Sequence, residues 1–249
     1  MAARYFTYSG KLVSVLDRWF YPSQADNWDT AIFREHILSF VRTESVVLDL
    51  GAGVGSLAEL NLRRHCSQVC GLDISPAVLN NPHLDTAKVG SADAIPWPDK
   101  TFDVVICANV LEHLERPEIA FTEAHRVLKP GGVFLCKTPN RFHYVAIASA
   151  LTPYWFHIAY NRLRGRRQSD TFPTFYRANS KYALWRLCAK AGFAASIREI
   201  EGRPEYLRIS PLLYPLGIAW ERIVNRFTSL SFLRVILVGT FRKAHTDIF

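Results

Sequence analysis

The sequence contains no run of about 20 apolar residues, the length that a membrane-spanning helix needs. Its first residues include no apolar core typical of a secretory signal peptide, so we expect no export signal. The five cysteines form no Cys-x-x-Cys pair, and Cys107 and Cys136 lie inside apolar runs. This pattern predicts buried thiols rather than disulfides or metal ligands, and it favours a reducing, cytoplasmic location.

Acidic residues are scarce in the second part of the chain. Residues 1–140 contain 13 Lys and Arg against 16 Asp and Glu, whereas residues 141–249 contain 17 against 6. Such an asymmetry indicates an anionic partner, either a nucleic acid or a lipid headgroup layer. A basic face that serves only solubility is the alternative.

From residue 45 onward, short apolar runs alternate with helical patterns. The predicted strands are 46–50, 68–72, 102–107, 133–137, 193–200 and 234–242. The predicted helices are 57–66, 117–128 and 180–191, preceded by one that Asp29 could cap and that runs to residue 41. Strands that alternate with helices are typical of an α/β, doubly wound, mostly parallel sheet.

The alternation predicts a single domain over residues 1–249, with an N-terminal helical segment at 1–44 and a ligand-binding core at 45–140. Residues 141–179 and 203–232 interrupt the pattern, each after a candidate strand, and are predicted to be helical inserts. Since ligands of open parallel sheets bind beyond the carboxyl ends of the strands, we expect both inserts at the mouth of the site.

The most informative stretch, VLDLGAGVGS at 47–56, comprises the end of the first predicted strand and the turn after it. Gly51, Gly53 and Gly55 would let the backbone approach a ligand closely, and a helix is expected to follow and to point its N–H groups at that ligand. The spacing is Gly-x-Gly-x-Gly, whereas the dinucleotide fingerprint is Gly-x-Gly-x-x-Gly. Asp49 would repel a pyrophosphate but suits a ligand that carries an ammonium and a sulfonium group.

This segment resembles motif I of the class I S-adenosylmethionine-dependent methyltransferases, which have a Rossmann-like, seven-stranded sheet. Further motifs of that family follow in order at 71–74, 91–99, 102–105 and 127–132. The resemblance covers about residues 45–140 and implies S-adenosylmethionine as the cofactor.

The resemblance also implies roles for individual residues. Asp73 would accept hydrogen bonds from both ribose hydroxyls, and Asp93 would accept one from the adenine amino group, with Ala94 near the ring. The complete set of cofactor-binding residues that it implies is Asp49, Gly51, Ala52, Gly53, Gly55, Asp73, Ile74, Asp93, Ala94 and Asn109.

Methyl transfer requires mainly that donor and acceptor are held in line, and a hydroxyl acceptor also needs a base. The candidate bases are Glu112, His113, His143 and His157, of which we favour His143 and His113. Residues 110–114 and 139–141 resemble ubiquinone-biosynthesis O-methyltransferases, some of which bind a divalent metal here. Because Asn109 stands where a carboxylate would be wanted, we predict no metal.

The inserts combine arginines with aromatic residues. Residues 141–180 contain nine aromatics and one acidic residue, Asp170, beside the six arginines Arg141, Arg162, Arg164, Arg166, Arg167 and Arg177. This composition fits segments that lie on the inner face of an anionic membrane and admit a lipophilic acceptor. It also suits RNA, and aromatic residues that only pack a helical lid are a third interpretation.

The sequence therefore predicts a methyltransferase that acts on a small, lipophilic or lipid-linked acceptor, with O-methylation favoured. An RNA or protein methyltransferase is the first alternative. A non-catalytic, cofactor-binding membrane scaffold is the second, although it would not need the glycines and carboxylates of motif I.

Overall fold

The computed structural model of the protein describes residues 11–24, 26–152 and 173–245. Arg162, Arg164, Arg166, Arg167 and His157 of the first insert therefore lie outside the described residues, as does Asp170.

The chain divides into two compact units. The sheet unit comprises Asp29–Pro139, Thr174–Arg198 and Leu237–Phe249. The helical unit comprises Met1–Trp28, Asn140–Pro173 and Glu199–Ile236, and so contains most of both predicted inserts.

One sheet of seven strands has the order β3-β2-β1-β4-β5-β7-β6. The four neighbouring pairs from β3 to β5 are parallel, which confirms the predicted fold class. The strands are β1 Val46–Leu50, β2 Gln68–Asp73, β3 Thr86–Val89, β4 Phe102–Ala108, β5 Leu128–Pro139, β6 Ala194–Ile200 and β7 Ile236–Arg242.

Six α-helices are present among the described residues, and both predicted inserts contain one. They are α1 Lys11–Phe20, α2 Trp28–Leu38, α3 Pro117–Val127, α4 Tyr144–Leu151, α5 Lys181–Ala191 and α6 Tyr214–Arg226. Helix α5 has clear end signals, because Ser180 accepts a hydrogen bond from the N–H of Ala183 and Gly192 ends the helix at φ 84°.

The helix predicted over 57–66 is wrong. A three-residue 3-10 turn, Ala58–Leu60, forms there instead. Asn61 adopts an extended conformation, and its side-chain oxygen accepts a hydrogen bond from the N–H of Arg63 at 3.2 Å. Such local bonds from Asn compete with helix formation, which explains why the helical spacing of leucines was misleading.

Asp29 does not cap α2, contrary to the prediction, since the helix begins at Trp28 and Asp29 lies in its first turn. Its carboxylate instead accepts a hydrogen bond from Nζ of Lys137 at 2.6 Å. Lys137 is fully buried in β5, so this ion pair ties α2 to the sheet.

The core of the sheet unit is built around aromatic rings. Phe134 of β5 is fully buried, with its ring centroid 5.2 Å from that of Phe121 and 5.6 Å from that of Phe241. Cys107 and Cys136 are free thiols within the same core, as predicted. None of the helices in the described ranges is long and apolar enough to cross a membrane.

We expect Phe134→Ala to lower the free energy of unfolding by about 3–5 kcal/mol, because it leaves a cavity among close-packed rings. Urea denaturation measures the loss. Phe175→Ala is the matched control, since Phe175 is 43% exposed and should cost far less. Equal losses in the two variants would contradict this account of the core.

Candidate functional site

The three glycines of the turn after β1 have two different roles: two permit close packing, and one leaves open space. Gly51, Gly53 and Gly55 all have positive φ, at 84°, 51° and 75°. A Cβ on Gly51 would lie 2.1 Å from Val110, and one on Gly55 would lie 2.3 Å from Asn81. A Cβ on Gly53 would meet its nearest atom only at 4.0 Å. Packing therefore requires the outer two glycines, and Gly53 leaves room for a ligand.

Hydrogen bonds fix the backbone of this turn. The N–H of Gly51 donates to the carbonyl of Leu72 at 2.7 Å. The buried side chain of Asn81 donates from Nδ2 to the carbonyls of Ala52 and Gly53, at 3.0 and 3.2 Å. No local pattern indicates that Asn81 holds the turn, because this contact joins residues almost thirty positions apart.

Two carboxylates lie at the ends of the neighbouring strands β1 and β2. Asp49 is buried, and burial together with the negative charge of Asp73 raises its pKa to about 7. Asp73 accepts hydrogen bonds from the N–H of Gly53 at 2.9 Å and of Ser75 at 2.8 Å. A carboxylate can accept more than two hydrogen bonds, so Asp73 retains capacity for ligand hydroxyls.

The loop before β4 contains Asp93 and Ala94. The carboxylate of Asp93 lies 3.1 Å from the guanidinium of Arg116, and Ala94 is exposed. Arg126 of α3 holds this loop by donating to the carbonyls of Ile95 and Trp97, at 2.8 and 2.9 Å. The adenine-binding roles of Asp93 and Ala94 remain predictions.

Exposed residues border the ends of β2 and β4. Ile74 follows Asp73 directly and is 64% exposed, so an apolar side chain is available beside the carboxylate. Asn109 is exposed, has φ 56°, and donates its N–H to the carbonyl of Lys137 at 2.8 Å. Val110, the next residue, packs against Gly51.

A buried polar chain follows β4 and β5. Glu112 accepts a hydrogen bond from the hydroxyl of Thr138 at 3.0 Å, and that hydroxyl accepts one from Asn179 at 2.7 Å. Burial raises the pKa of Glu112, and the nearby His113 and the Thr138 hydroxyl partly offset this effect. Sequence reasoning missed Thr138, Asn179 and Lys137, although a lysine within an apolar strand was a usable signal for the last.

The two favoured histidines lie in different units. His113, in the sheet unit, is 30% exposed through its side chain, with Nε2 4.0 Å from a carboxylate oxygen of Glu112. His143, in the helical unit, is buried, and its Nδ1 accepts a hydrogen bond from the N–H of Val145, capping α4. Its Nε2 lies 3.4 Å from an oxygen of Glu201, without hydrogen-bond geometry. These contacts favour a structural role for His143.

Across residues 11–24, 26–152 and 173–245, no three His, Cys, Asp or Glu side chains cluster as a metal site would require. The expectation that the protein needs no metal stays a prediction.

Comparison with known proteins agrees with this geometry. Residues 48–136 match the family model described as a methyltransferase domain. A "Probable methyltransferase" of Aspergillus luteorubrus is 29% identical over 181 residues, which is 64% of this chain and 60% of that protein. A "Ubiquinone biosynthesis O-methyltransferase" of Cereibacter sphaeroides is 33% identical over 103 residues, covering 38% of this chain and 41% of the relative.

Among solved structures, a methyltransferase of Archaeoglobus fulgidus that depends on S-adenosylmethionine aligns with a TM-score of 0.59. The alignment covers 92% of this chain and 99% of that one at 18% identity, which shows the fold. The chain spans about half the length of the curated relatives it matches.

The strand order and the glycine turn are those of a Rossmann-like fold, and residues 48–136 within it match a methyltransferase domain. S-adenosylmethionine is the cofactor that this match supports. The residues present fit that cofactor, because the turn leaves room at Gly53 and the paired carboxylates Asp49 and Asp73 suit its positive charges.

We expect Asp49 to make the free energy of unfolding fall as the pH rises from about 4 to about 7. Its carboxyl has an ordinary pKa of 3.8 that burial raises to about 7, so in this range the folded chain keeps a proton that the unfolded chain releases. Asp49→Asn should therefore be more stable than the wild type above pH 7, by up to about 4 kcal/mol.

Urea denaturation without cofactor at pH 5 and pH 8 measures this difference. Glu115→Gln is the control, since Glu115 is exposed and should leave the pH dependence as it is in the wild type. A stability gap between wild type and Asp49→Asn that is the same at both pH values would show that the buried carboxyl is not responsible.

Proposed function

We propose that the protein transfers a methyl group from S-adenosylmethionine to an oxygen of a small lipophilic or lipid-linked acceptor. The observation that carries this proposal is that the carboxylate pair at the ends of β1 and β2 and the Glu112–His113 pair after β4 belong to one sheet. Parallel strands β1, β2 and β4 bring their carboxyl ends to a single edge, and the proposed cofactor site and candidate base would both lie along that edge.

Each group of proposed cofactor-binding residues would bind a different part of the ligand. Asp49 and the turn from Gly51 to Gly55 would hold the amino-acid portion, Asp73 and Ile74 the ribose, and Asp93 with Ala94 the adenine. When bound, S-adenosylmethionine supplies a methyl group on a positively charged sulfur. Rigid positioning by the turn then accounts for much of the rate, since alignment alone can be worth about 7–11 kcal/mol.

In this proposal His113 is the general base. A hydroxyl acceptor must lose its proton as its oxygen is methylated, and a ring nitrogen of His113 would accept it. The carboxylate of Glu112, 4.0 Å away, would stabilise the resulting imidazolium. Thr138 holds Glu112, and Asn179 holds Thr138, so the pair is positioned from the protein interior.

Two observations support a lipophilic acceptor. One of the relatives that the chain matches is named as a ubiquinone-biosynthesis enzyme. In addition, the helical unit exposes large apolar side chains, including Leu212 at 83% and Leu216 at 64%. We therefore propose that the protein works in the cytoplasm, against the inner face of a membrane that contains the acceptor.

The acceptor class can be tested by incubating membrane extracts with methyl-labelled S-adenosylmethionine, with and without the protein. Mass spectrometry should find the label in the lipid-soluble fraction. Label in RNA or protein would favour the first alternative instead. No label in any fraction, together with intact cofactor binding, would favour the non-catalytic scaffold.

We expect S-adenosylhomocysteine, at about 100 times its dissociation constant, to stabilise the folded protein by about 2.7 kcal/mol. Asp73→Asn should lose most of this stabilisation, because an amide has only one acceptor oxygen for the ribose hydroxyls. Thermal denaturation measures both values, and Glu115→Gln should respond like the wild type. An unchanged shift in Asp73→Asn would rule out the proposed ribose contact.

We expect His113→Gln to reduce the initial rate of label transfer to the membrane extract by about 100-fold or more, with S-adenosylhomocysteine binding unchanged. His245→Gln, an exposed substitution beside Gly131, should keep the wild-type rate. If His113→Gln is fully active, the base lies elsewhere or none is needed.

A further inference from the structure

Helix α1 has two apolar faces, one buried and one exposed to solvent. Val13 is fully buried and packs with Tyr214 and Ile218 of α6, with Leu16 alongside. On another face, Leu12, Val15 and Trp19 are spaced three and four residues apart and are 52%, 38% and 81% exposed. Residues at this spacing share a side of a helix, so they form a continuous exposed stripe.

Helix α6 repeats this arrangement. Its buried face contains Tyr214 and Ile218, whereas Leu216, Ile223 and Phe227 are 64%, 49% and 54% exposed. Leu216 and Ile223 are two turns apart on one side of the helix, and Phe227 follows the last helical residue in an extended conformation. We call the six exposed residues of the two helices the α1–α6 apolar surface: Leu12, Val15, Trp19, Leu216, Ile223 and Phe227.

Polar contacts join the two helices rigidly. Asp17 of α1 accepts a hydrogen bond from the hydroxyl of Tyr214 and pairs with Arg208 at 2.7 Å. Tyr21, just after α1, donates to Glu221 of α6 at 3.2 Å. Asp17 is thereby paired with an internal partner, whereas buried Glu221 also pairs with Nε of Arg222 at 3.3 Å.

The charges that remain exposed beside the apolar stripes are basic. Lys11 and Arg18 lie on α1, and Arg222 and Arg226 lie on α6. Arg222 donates to the carbonyl of Phe20, so it stands where the end of α1 meets α6. Exposed apolar stripes flanked by cations are the composition of helices that lie in the interface of an anionic membrane.

We propose that the α1–α6 apolar surface, with these four cations, binds the surface of an anionic phospholipid bilayer. The proposal deepens the proposed function by naming where the protein meets the membrane that supplies its acceptor. Binding to lipid requires neither cofactor nor catalysis, so the two proposals can fail independently.

The test is flotation of the full chain with vesicles of phosphatidylcholine, with and without phosphatidylglycerol. We expect binding that increases strongly with phosphatidylglycerol. The double variant Trp19→Ala/Ile223→Ala should reduce the partition coefficient at least about tenfold, because it removes two exposed apolar side chains. Arg222→Ala/Arg226→Ala should cause a similar loss on anionic vesicles and little change on neutral ones.

Trp185→Ala is the matched control, since Trp185 of α5 is also largely exposed, at 58%, but belongs to the sheet unit. It should float like the wild type. Each variant should retain its thermal shift with S-adenosylhomocysteine, which shows that it is folded and reports on the proposed function separately.

Undiminished flotation of Trp19→Ala/Ile223→Ala would overturn the proposal, as would failure of the wild type to float. The mass of the protein in solution distinguishes lipid binding from self-association through the same surface. A dimer that this double variant converts to a monomer would assign the surface to a second copy of the chain instead of to lipid.

Discussion

The absence of side chains at Gly51 and Gly55 is the constraint on which the site depends. Val110 occupies the space beside the first glycine and Asn81 the space beside the second, so the turn, the end of β4 and the segment after β2 are packed as one body. Positive φ at all three glycines adds a conformational requirement to the steric one. Gly53 lies between these two packed positions, and a Cβ there would meet no atom closer than 4.0 Å.

Two cations of the sheet unit are paired with carboxylates, whereas one buried carboxylate lies beside another carboxylate. Buried Lys137 is paired with Asp29, and Arg126 binds both Glu123 and Asp99. Asp49, by contrast, faces another carboxylate, Asp73, and its pKa rises accordingly. A buried acid beside a second acid destabilises the protein on its own and favours a cationic ligand, so the ends of β1 and β2 are less stable than they would be with oppositely charged neighbours.

The sequence allowed the strand pattern and the acidic strand ends to be predicted because both are local signals. A continuous apolar run closed by glycine defined β1 to the residue. Strand β3, with the sequence TAKV, was missed because it has no apolar run and none of its residues is buried. Asn81, Thr138 and Asn179 could not have been found, since a polar residue acquires its partner only through the fold. His143 shows the reverse problem, because a histidine that caps a helix has no distinguishing local pattern.

The chain passes between the two units five times, near residues 28, 139, 173, 198 and 236. Neither unit is therefore a contiguous stretch of polypeptide, and no single deletion can remove the helices while sparing the sheet. Loss of the whole helical unit by one genetic event would interrupt the sheet-forming sequence as well. Differences between relatives in the helical unit must then arise by substitution or by changes inside its separate segments, rather than by exchange of a whole module.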